Sequence, residues 1–267
     1  MRLEPYYALA PNAAPGDIRH LIAEYLGIRI TELAVAKDPD QDQHDDICAM
    51  IGKLNRGIPP QYILQSAWFY GFSFYVDSRV LIPRFDTEVL VEALGKYLRP
   101  GMRVLDIGTG SGIIAISLKK LHPQLELHAS DLSSDALDVA RRNARKHLVE
   151  VTLHHADLFP EVPRLFDIII SNPPYISSLE YEKLDPIVRD HEPVSALLAA
   201  DDGLEYYRRI IDEAARRLSS DGILAFEHGC TQQQQVLRLT EKAGFISLEM
   251  GKDLAGRDRF LILKKRG

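Results

Sequence analysis

From about residue 86 onward the chain alternates short apolar runs with longer amphipathic ones, and this alternation restricts the fold more than any other feature. The apolar runs fall at 103–107, 125–130, 151–154, 166–171, 223–227, 245–249 and 259–263 and read as strands. The amphipathic segments at 113–121, 134–147, 204–218 and 232–243 read as helices. Strands alternating with helices of this length imply βαβ units and a mostly parallel sheet, an α/β architecture. The last two runs have no helical pattern between them, so an antiparallel hairpin at the sheet edge is expected. There is no internal repeat, and the only biased tract is the short glutamine run 232–235 inside a helical segment.

The first 60 or so residues differ in kind. Ile18, Leu21, Ile22, Tyr25 and Leu26 mark one face of a helix over 17–26, with Gly27 as its stop. The acidic stretch 38–46, which contains Pro39, reads as a solvated loop. A second helix is expected over 46–54, closed by Gly57 and the Pro59-Pro60 pair. The next segment is aromatic and β-branched, Trp68-Phe69-Tyr70-Gly71-Phe72-Ser73-Phe74-Tyr75-Val76, and suggests a short hairpin turning at Gly71. A length of 267 residues suits a main domain with a smaller companion. The expected division is a small helical domain over 1–64, a hairpin linker over 65–84 and the α/β domain over 85–267.

The formal net charge of −6 counts against a protein living on a phosphate backbone, so no direct nucleic-acid partner is expected. Cys48 and Cys230 lie far apart, outside any C-x-x-C spacing, which disfavours a disulfide framework and a zinc cluster. His154, His155 and His228 lack metal-ligand spacing, and no metal site is expected. The opening Met1-Arg2-Leu3-Glu4-Pro5 has no apolar core of a signal peptide, and no apolar run approaches the roughly 20 residues that span a bilayer. A cytoplasmic protein without membrane contact, and a monomer, is the expectation.

Val104-Leu105-Asp106-Ile107-Gly108-Thr109-Gly110-Ser111-Gly112 sets a strand directly before a G-x-G-x-G loop and a helix. Glycines there permit positive φ and let the backbone approach a ligand closely. A dinucleotide fingerprint would need a further glycine where Ile113 stands. Asp106 would repel a pyrophosphate but suits a cationic ligand such as S-adenosylmethionine. Asp131, closing the second strand, can accept both ribose hydroxyls. After the third strand, Asp157 offers a carboxylate to an adenine amino group, and Leu158-Phe159 offer an apolar wall. Each acid alone has an ordinary explanation, Asp131 as a helix N-cap for example. Three acids after three successive strands beside a glycine loop point to a cofactor.

The fourth strand runs straight into Asn172-Pro173-Pro174-Tyr175. In an open α/β sheet, ligands sit in the crevice beyond the strands' carboxyl ends. Two prolines fix φ and remove N–H donors, which leaves carbonyl oxygens for the cleft, and Asn172 is pushed to an extended backbone by the proline after it. An amide or aromatic amine is a poor nucleophile because its lone pair is delocalised. The Asn172 side-chain oxygen and the Pro173 carbonyl can hold both of its N–H hydrogens, orient it and stabilise the charge that develops, while Tyr175 stacks on the planar group. Glu227, closing the fifth apolar run, is a candidate brace for the Asn172 loop. These residues alone fit a nucleobase as well as a protein amide.

Over nearly its full length the chain resembles the release factor glutamine methyltransferases. The likeness is carried by Pro60-Gln61-Tyr62-Ile63-Leu64, Phe69-Tyr70-Gly71, Val80-Leu81-Ile82-Pro83-Arg84, Thr87-Glu88 with Leu90-Val91, and the segments Asp106 to Gly112 and Asn172 to Ile176. It continues through Glu192-Pro193 with Ala196-Leu197, Glu227-His228-Gly229, and Asp253 with Gly256-Arg257-Asp258-Arg259. The resemblance implies a seven-stranded, Rossmann-like class I methyltransferase domain and a helical N-terminal domain that recognises the protein substrate. It implies transfer of a methyl group from S-adenosylmethionine, leaving S-adenosylhomocysteine, to the side-chain amide of the Gln in the Gly-Gly-Gln motif of class I peptide chain release factors. Gly108, Thr109, Gly110, Ser111, Gly112, Asp131, Leu158 and Asn172 are the implied cofactor contacts, and Asn172, Pro173, Pro174 and Tyr175 the implied substrate contacts. The alternatives weighed against it are a glutamine methyltransferase of a ribosomal protein, an amino-directed DNA methyltransferase and an idle cofactor-binding module. The chain departs from the family pattern at Phe85 and Asp86, expected near the cofactor's methionine end, and at Gln65, where the family usually has Gly.

Overall fold

A computed structural model describes residues 1–266. In chain order its helices and strands are α1 (Glu4–Leu9), α2 (Pro15–Leu26), α3 (Gln41–Asn55), α4 (Pro60–Leu64), β1 (Ala67–Phe69), β2 (Phe72–Phe74), α5 (Asp86–Gly95), β3 (Arg103–Ile107) and α6 (Ile113–Leu121). There follow β4 (Glu126–Asp131), α7 (Ser134–His147), β5 (Thr152–His155), β6 (Phe166–Ser171), α8 (Ser178–Tyr181), α9 (Pro186–Arg189), α10 (Glu205–Arg217), β7 (Leu218–Glu227), α11 (Gln233–Lys242), β8 (Phe245–Lys252) and β9 (Asp258–Lys265).

The four N-terminal helices close over a core of their own, built on Tyr6, Ile18, Leu21, Ile22, Leu33, Ile47 and Ile51. Gly27 ends α2 in the left-handed conformation at φ 66°, as its position after the apolar stripe predicts. The acidic stretch 38–46 is not all loop. Asp40 caps α3 by accepting from the Gln43 amide at 2.9 Å while Gln43 reaches back to the Asp40 amide, and the helix starts at Gln41. Carboxylates in a first turn face the positive end of the helix dipole, so an acidic run there begins a helix rather than preventing one.

The β1–β2 hairpin pairs Phe69 with Phe72 across Tyr70-Gly71, whose φ angles of 50° and 76° are those of a type I′ turn. Phe69 and Phe74 are fully buried in the same apolar cluster as α5 and α6, so the hairpin is part of the main body's core.

The main sheet has the order β5-β4-β3-β6-β7-β9-β8, parallel except that β9 runs antiparallel to both its neighbours. Successive residues of the central strands feed opposite faces. Val104, Ile168, Ile170 and Ala225 join α5 and α6 on one side, while Leu105, Ile169, Leu224 and Phe226 join α10 and α11 on the other. Burial on both faces explains why these strands read as continuous apolar runs. Helix α5 escaped the strand–helix reading although Leu90, Val91 and Leu94 form a buried stripe. Strand β7 begins at Leu218, five residues before its apolar run: Leu218 pairs with Phe166, Ser219-Ser220-Asp221-Gly222 bulge out of the ladder, and pairing resumes at Ile223 opposite Ile168.

Candidate active site

The chain leaves β3 through α6 toward β4 on one side, and β6 lies on the other, so the topological switch point falls between β3 and β6. A cavity opens there at the strands' carboxyl ends. Its floor is Ile107, Gly108 and Gly110 after β3; Asp131 closes β4; Ala156, Asp157 and Leu158 follow β5; Ser171, Asn172, Pro173 and Pro174 follow β6. Most of the residues singled out from sequence therefore converge on one space.

Gly108 and Gly110 stand at φ 69° and 55°, and a Cβ on either would point into open space, so it is the backbone angle that requires glycine. Gly112, at φ 83°, has a second reason: a Cβ there would lie 2.8 Å from Ile116 Cδ1 and 3.3 Å from Ala140 Cβ, so it also allows the loop, α6 and α7 to pack closely. Gly112, Thr109 and Ser111 support the loop from behind and do not line the cavity. Asp106 is also behind it, fully buried. Its Oδ2 accepts from the Thr109 hydroxyl at 2.7 Å and the Ala115 amide at 3.3 Å, and burial pushes its pKa up to about 7. The place of Asp106 is thus under the loop rather than on the cavity wall, although its Oδ1 is buried without a partner.

Asp131 is no N-cap; Ser133 caps α7 by accepting from the Ala136 amide. The Asp131 carboxylate instead accepts from the Gly110 amide at 2.9 Å and the Ser133 amide at 2.9 Å, which holds it at the cavity edge. Burial raises its pKa against these two amides. Asp157 is partly engaged by Arg209 at 2.7 Å. Leu158 turns inward at φ 69°, whereas Phe159 is buried in the core behind, so the apolar wall consists of Leu158 with Val80, Leu81 and Ala136. Glycine-presented backbone, two carboxylates and an apolar wall fit S-adenosylmethionine, with its ribose hydroxyls, cationic amino acid end and purine.

Asn172 donates through Nδ2 to Thr87 Oγ1 at 3.2 Å, and Thr87 donates to Glu227 Oε2 at 2.6 Å. Among the described residues the Asn172 Oδ1 and the Pro173 carbonyl accept no hydrogen bond. Glu227 therefore braces Asn172 through Thr87, a contact the sequence reading missed because α5 went unread. Burial pushes Glu227 up to about 7, while the Thr87 hydroxyl and Arg259 pull it down. Tyr175 lines an adjoining pocket with Asn172, Pro173, Arg84 and Glu227, and burial raises its phenol well above the usual range. The Tyr175 carbonyl accepts from Gln232 Nε2 at 2.9 Å; Gly203 allows this approach, since a Cβ there would sit 2.5 Å from the same oxygen.

Motifs distant in sequence meet around this site. Arg84 Nη2 donates to Glu192 Oε1 at 2.6 Å, and Glu192 Oε2 accepts from the Ile82 amide at 3.1 Å, so the 80–84 segment is strapped across the cavity. Arg259 pairs with Asp253 at 3.0 Å and Asp86 at 3.3 Å. Neither Phe85 nor Asp86 is among the residues lining the cavity, and Phe85 is largely exposed on the side facing α2. The three histidines make ordinary hydrogen bonds: His154 to His128 at 2.9 Å, His155 to the Leu132 carbonyl at 2.8 Å and His228 to the Gly229 carbonyl at 2.9 Å.

Fold and site together define a class I S-adenosylmethionine-dependent methyltransferase. Residues 84–189 match the family model "Methyltransferase small domain". The methyltransferase from Pyrococcus furiosus superposes with a TM-score of 0.56 at 20% identity, covering 74% of this chain and 91% of that one, a likeness of fold. The release factor glutamine methyltransferase of Agrobacterium fabrum is 36% identical over 259 residues, 93% of this chain and 90% of that protein. That of Geobacter sulfurreducens is 42% identical over 211 residues, 79% and 74% respectively. The chain belongs to the release factor glutamine methyltransferase family.

Proposed function

We propose that this protein methylates the side-chain amide nitrogen, N5, of the Gln in the Gly-Gly-Gln motif of class I peptide chain release factors. S-adenosylmethionine supplies an electrophilic methyl group and leaves as S-adenosylhomocysteine. Gly108, Gly110, Asp131, Asp157 and Leu158 are the residues to hold it, with Thr109, Ser111, Gly112 and Asp106 shaping the loop beneath. The observation that carries the reading is Asn172, whose Nδ2 is tied inward to Thr87 while Oδ1 and the Pro173 carbonyl have no partner among the described residues. Two acceptors side by side suit an NH₂ group: they fix the plane of the amide, direct its nitrogen and stabilise the positive charge that grows on it before a proton departs. Pro174 keeps the turn rigid, and the Tyr175 ring packs on the planar group. We assign the helical residues 1–64 to release factor docking, with 65–84 as the hairpin connection to the catalytic domain at 85–267, in a cytoplasmic monomer without a nucleic-acid partner. Among the described residues no helix is long and apolar enough to cross a membrane.

Incubation with methyl-labelled S-adenosylmethionine tests this, with a purified class I release factor, a ribosomal protein fraction and DNA in parallel. Label is expected in the release factor, and is lost when the Gln of its Gly-Gly-Gln motif is changed. Label confined to DNA or to a ribosomal protein would overturn the assignment.

A further inference from the structure

Thr87 and Glu227 lie outside the cofactor cavity wall, yet both end at Asn172. Both are almost completely buried, at 0% and 1% exposure, so water does not compete for their hydrogen bonds. A hydroxyl carries one proton. With Glu227 ionised, the carboxylate can only accept, so the Thr87 proton is committed to it at 2.6 Å. What remains toward Asn172, 3.2 Å away, are oxygen lone pairs. Only the NH₂ end of the Asn172 amide can face them. A flipped amide would set two oxygens against each other with no proton between. The carboxylate thus dictates, two hydrogen bonds away, that the Asn172 oxygen points outward. A protonated Glu227 removes the constraint: it can donate to Thr87, whose own proton is then free for Asn172 Oδ1, and both amide orientations become satisfiable.

We propose that Thr87 and Glu227 are positioning residues that hold the Asn172 amide with its oxygen toward the acceptor nitrogen, and that ionisation of Glu227 gates this orientation. This rests on the reading that Asn172 Oδ1 accepts from the substrate N–H. The charged and titratable groups around Glu227 are Arg259 from β9, Asp86 from α5, Arg84 from the strap, Tyr175 from the acceptor loop, Tyr207 from α10 and the adjacent His228. Burial outweighs the two arginines and brings the titration to about 7, inside the range in which methyl transfer is assayed.

The test uses Thr87→Val, Thr87→Ser, Glu227→Gln and Asn172→Ala in the full chain, with a purified class I release factor and saturating S-adenosylmethionine. Thr87→Val keeps the shape and removes the hydroxyl. It is expected to lower kcat by roughly ten- to a hundredfold, as misoriented acceptors do, with KM for the release factor and calorimetric affinity for S-adenosylmethionine little changed. Thr87→Ser restores most of the rate. Wild-type kcat rises with pH along an acid limb, and Glu227→Gln abolishes that limb. Saturating cofactor keeps titration of Asp106 and Asp131 out of kcat. A normal kcat in Thr87→Val, a loss confined to cofactor affinity, or an unaltered acid limb in Glu227→Gln would overturn the proposal. If Asn172→Ala retains turnover, the functional reading itself fails; if Asn172→Ala is inactive while Thr87→Val is normal, only the positioning inference fails.

Discussion

Asn143 in α7 is the residue whose removal should be felt most widely outside the site. It is fully buried, and its amide behaves like a piece of strand backbone. Oδ1 accepts from the Tyr75 amide at 2.7 Å, while Nδ2 donates to the Tyr75 carbonyl at 2.9 Å and to the Ser111 carbonyl at 2.9 Å. One side chain thus joins the exit of the β1–β2 hairpin, helix α7 and the glycine loop. Asn143→Ala leaves a buried N–H and two buried carbonyls without partners. An unsatisfied buried group costs about 1–3 kcal/mol, with the carbonyls toward the lower end because each has a second lone pair and some freedom to relax. The sum is about 3–5 kcal/mol, a large share of the roughly 5–15 kcal/mol that holds a domain together. Urea denaturation followed by circular dichroism should show a lowered midpoint at unchanged slope, and calorimetry a weakened affinity for S-adenosylmethionine as the Ser111 turn loosens. Asn143→Asp is the discriminating partner: it keeps an acceptor for the Tyr75 amide but turns a carboxylate on two carbonyl oxygens, so it should be no more stable than Asn143→Ala. A loss under about 1 kcal/mol in Asn143→Ala, or wild-type stability in Asn143→Asp, would refute the reasoning.

Three further outcomes are expected. Gln65 follows α4 in the left-handed conformation at φ 52°, where a Cβ is strained, so Gln65→Gly should raise stability by about 0.5–1 kcal/mol in a thermal scan; a lowered melting temperature would contradict this. Gly203→Ala should depress kcat with little effect on S-adenosylmethionine affinity, because the new methyl meets the Tyr175 carbonyl and Gln232 Nε2 rather than the cofactor wall; equal kcat in the two proteins would count against the Tyr175 anchor. Burial pushes the Asp106 carboxyl up to about 7 in the folded state from its ordinary value of 3.8, so the folded state holds a proton the unfolded state lacks across that window. Its contribution is complete below the unfolded value and is lost as pH rises through about 7, so Asp106→Asn should flatten the decline in urea midpoint between acid and mildly alkaline pH, and an unchanged slope would be inconsistent.

The parts legible in the sequence are those in which one residue's type answers to one local demand. Fully buried parallel strands show as apolar runs because both faces are covered, and Gly108 and Gly110 show as glycines because the φ angles require it. What stayed hidden depends on partners far along the chain. Thr87 and Glu227 are 140 residues apart, Arg84 and Glu192 are 108, and Tyr75 and Asn143 are 68. Each was visible as a residue, several as family motifs, but nothing in local pattern says which buried polar group closes on which. The turn of Phe159 into the core and the outward turn of Phe85 escaped for the same reason: side-chain direction at a loop is decided by the surfaces it meets. The start of α3 was misread because acidic residues serve equally a solvated loop and a capped first turn, and only the reciprocal Asp40–Gln43 pair separates the two.

The arrangement of these distant pairs divides the site into two mechanically separate halves. Donor binding hangs from β3, β4 and the turn after β5, and is shaped by Asp106, Asp131 and, through Ser111, Asn143. Acceptor geometry hangs from the ends of β6 and β7, and is set by Thr87, Glu227, Gln232 and Gly203, none of which lines the wall at Gly108, Gly110 or Asp131. The halves meet across the cavity that Gly108 and Asn172 both line and where β3 and β6 run side by side, ending at the pair Ile107–Ser171, with the Ser171 hydroxyl donating to the Ile107 carbonyl at 2.9 Å. Substitutions in the first set should therefore change affinity for S-adenosylmethionine, and those in the second the rate at saturating donor. A division of this kind lets an intrinsically weak nucleophile be aligned by rigid protein dipoles, without requiring donor binding to supply the alignment.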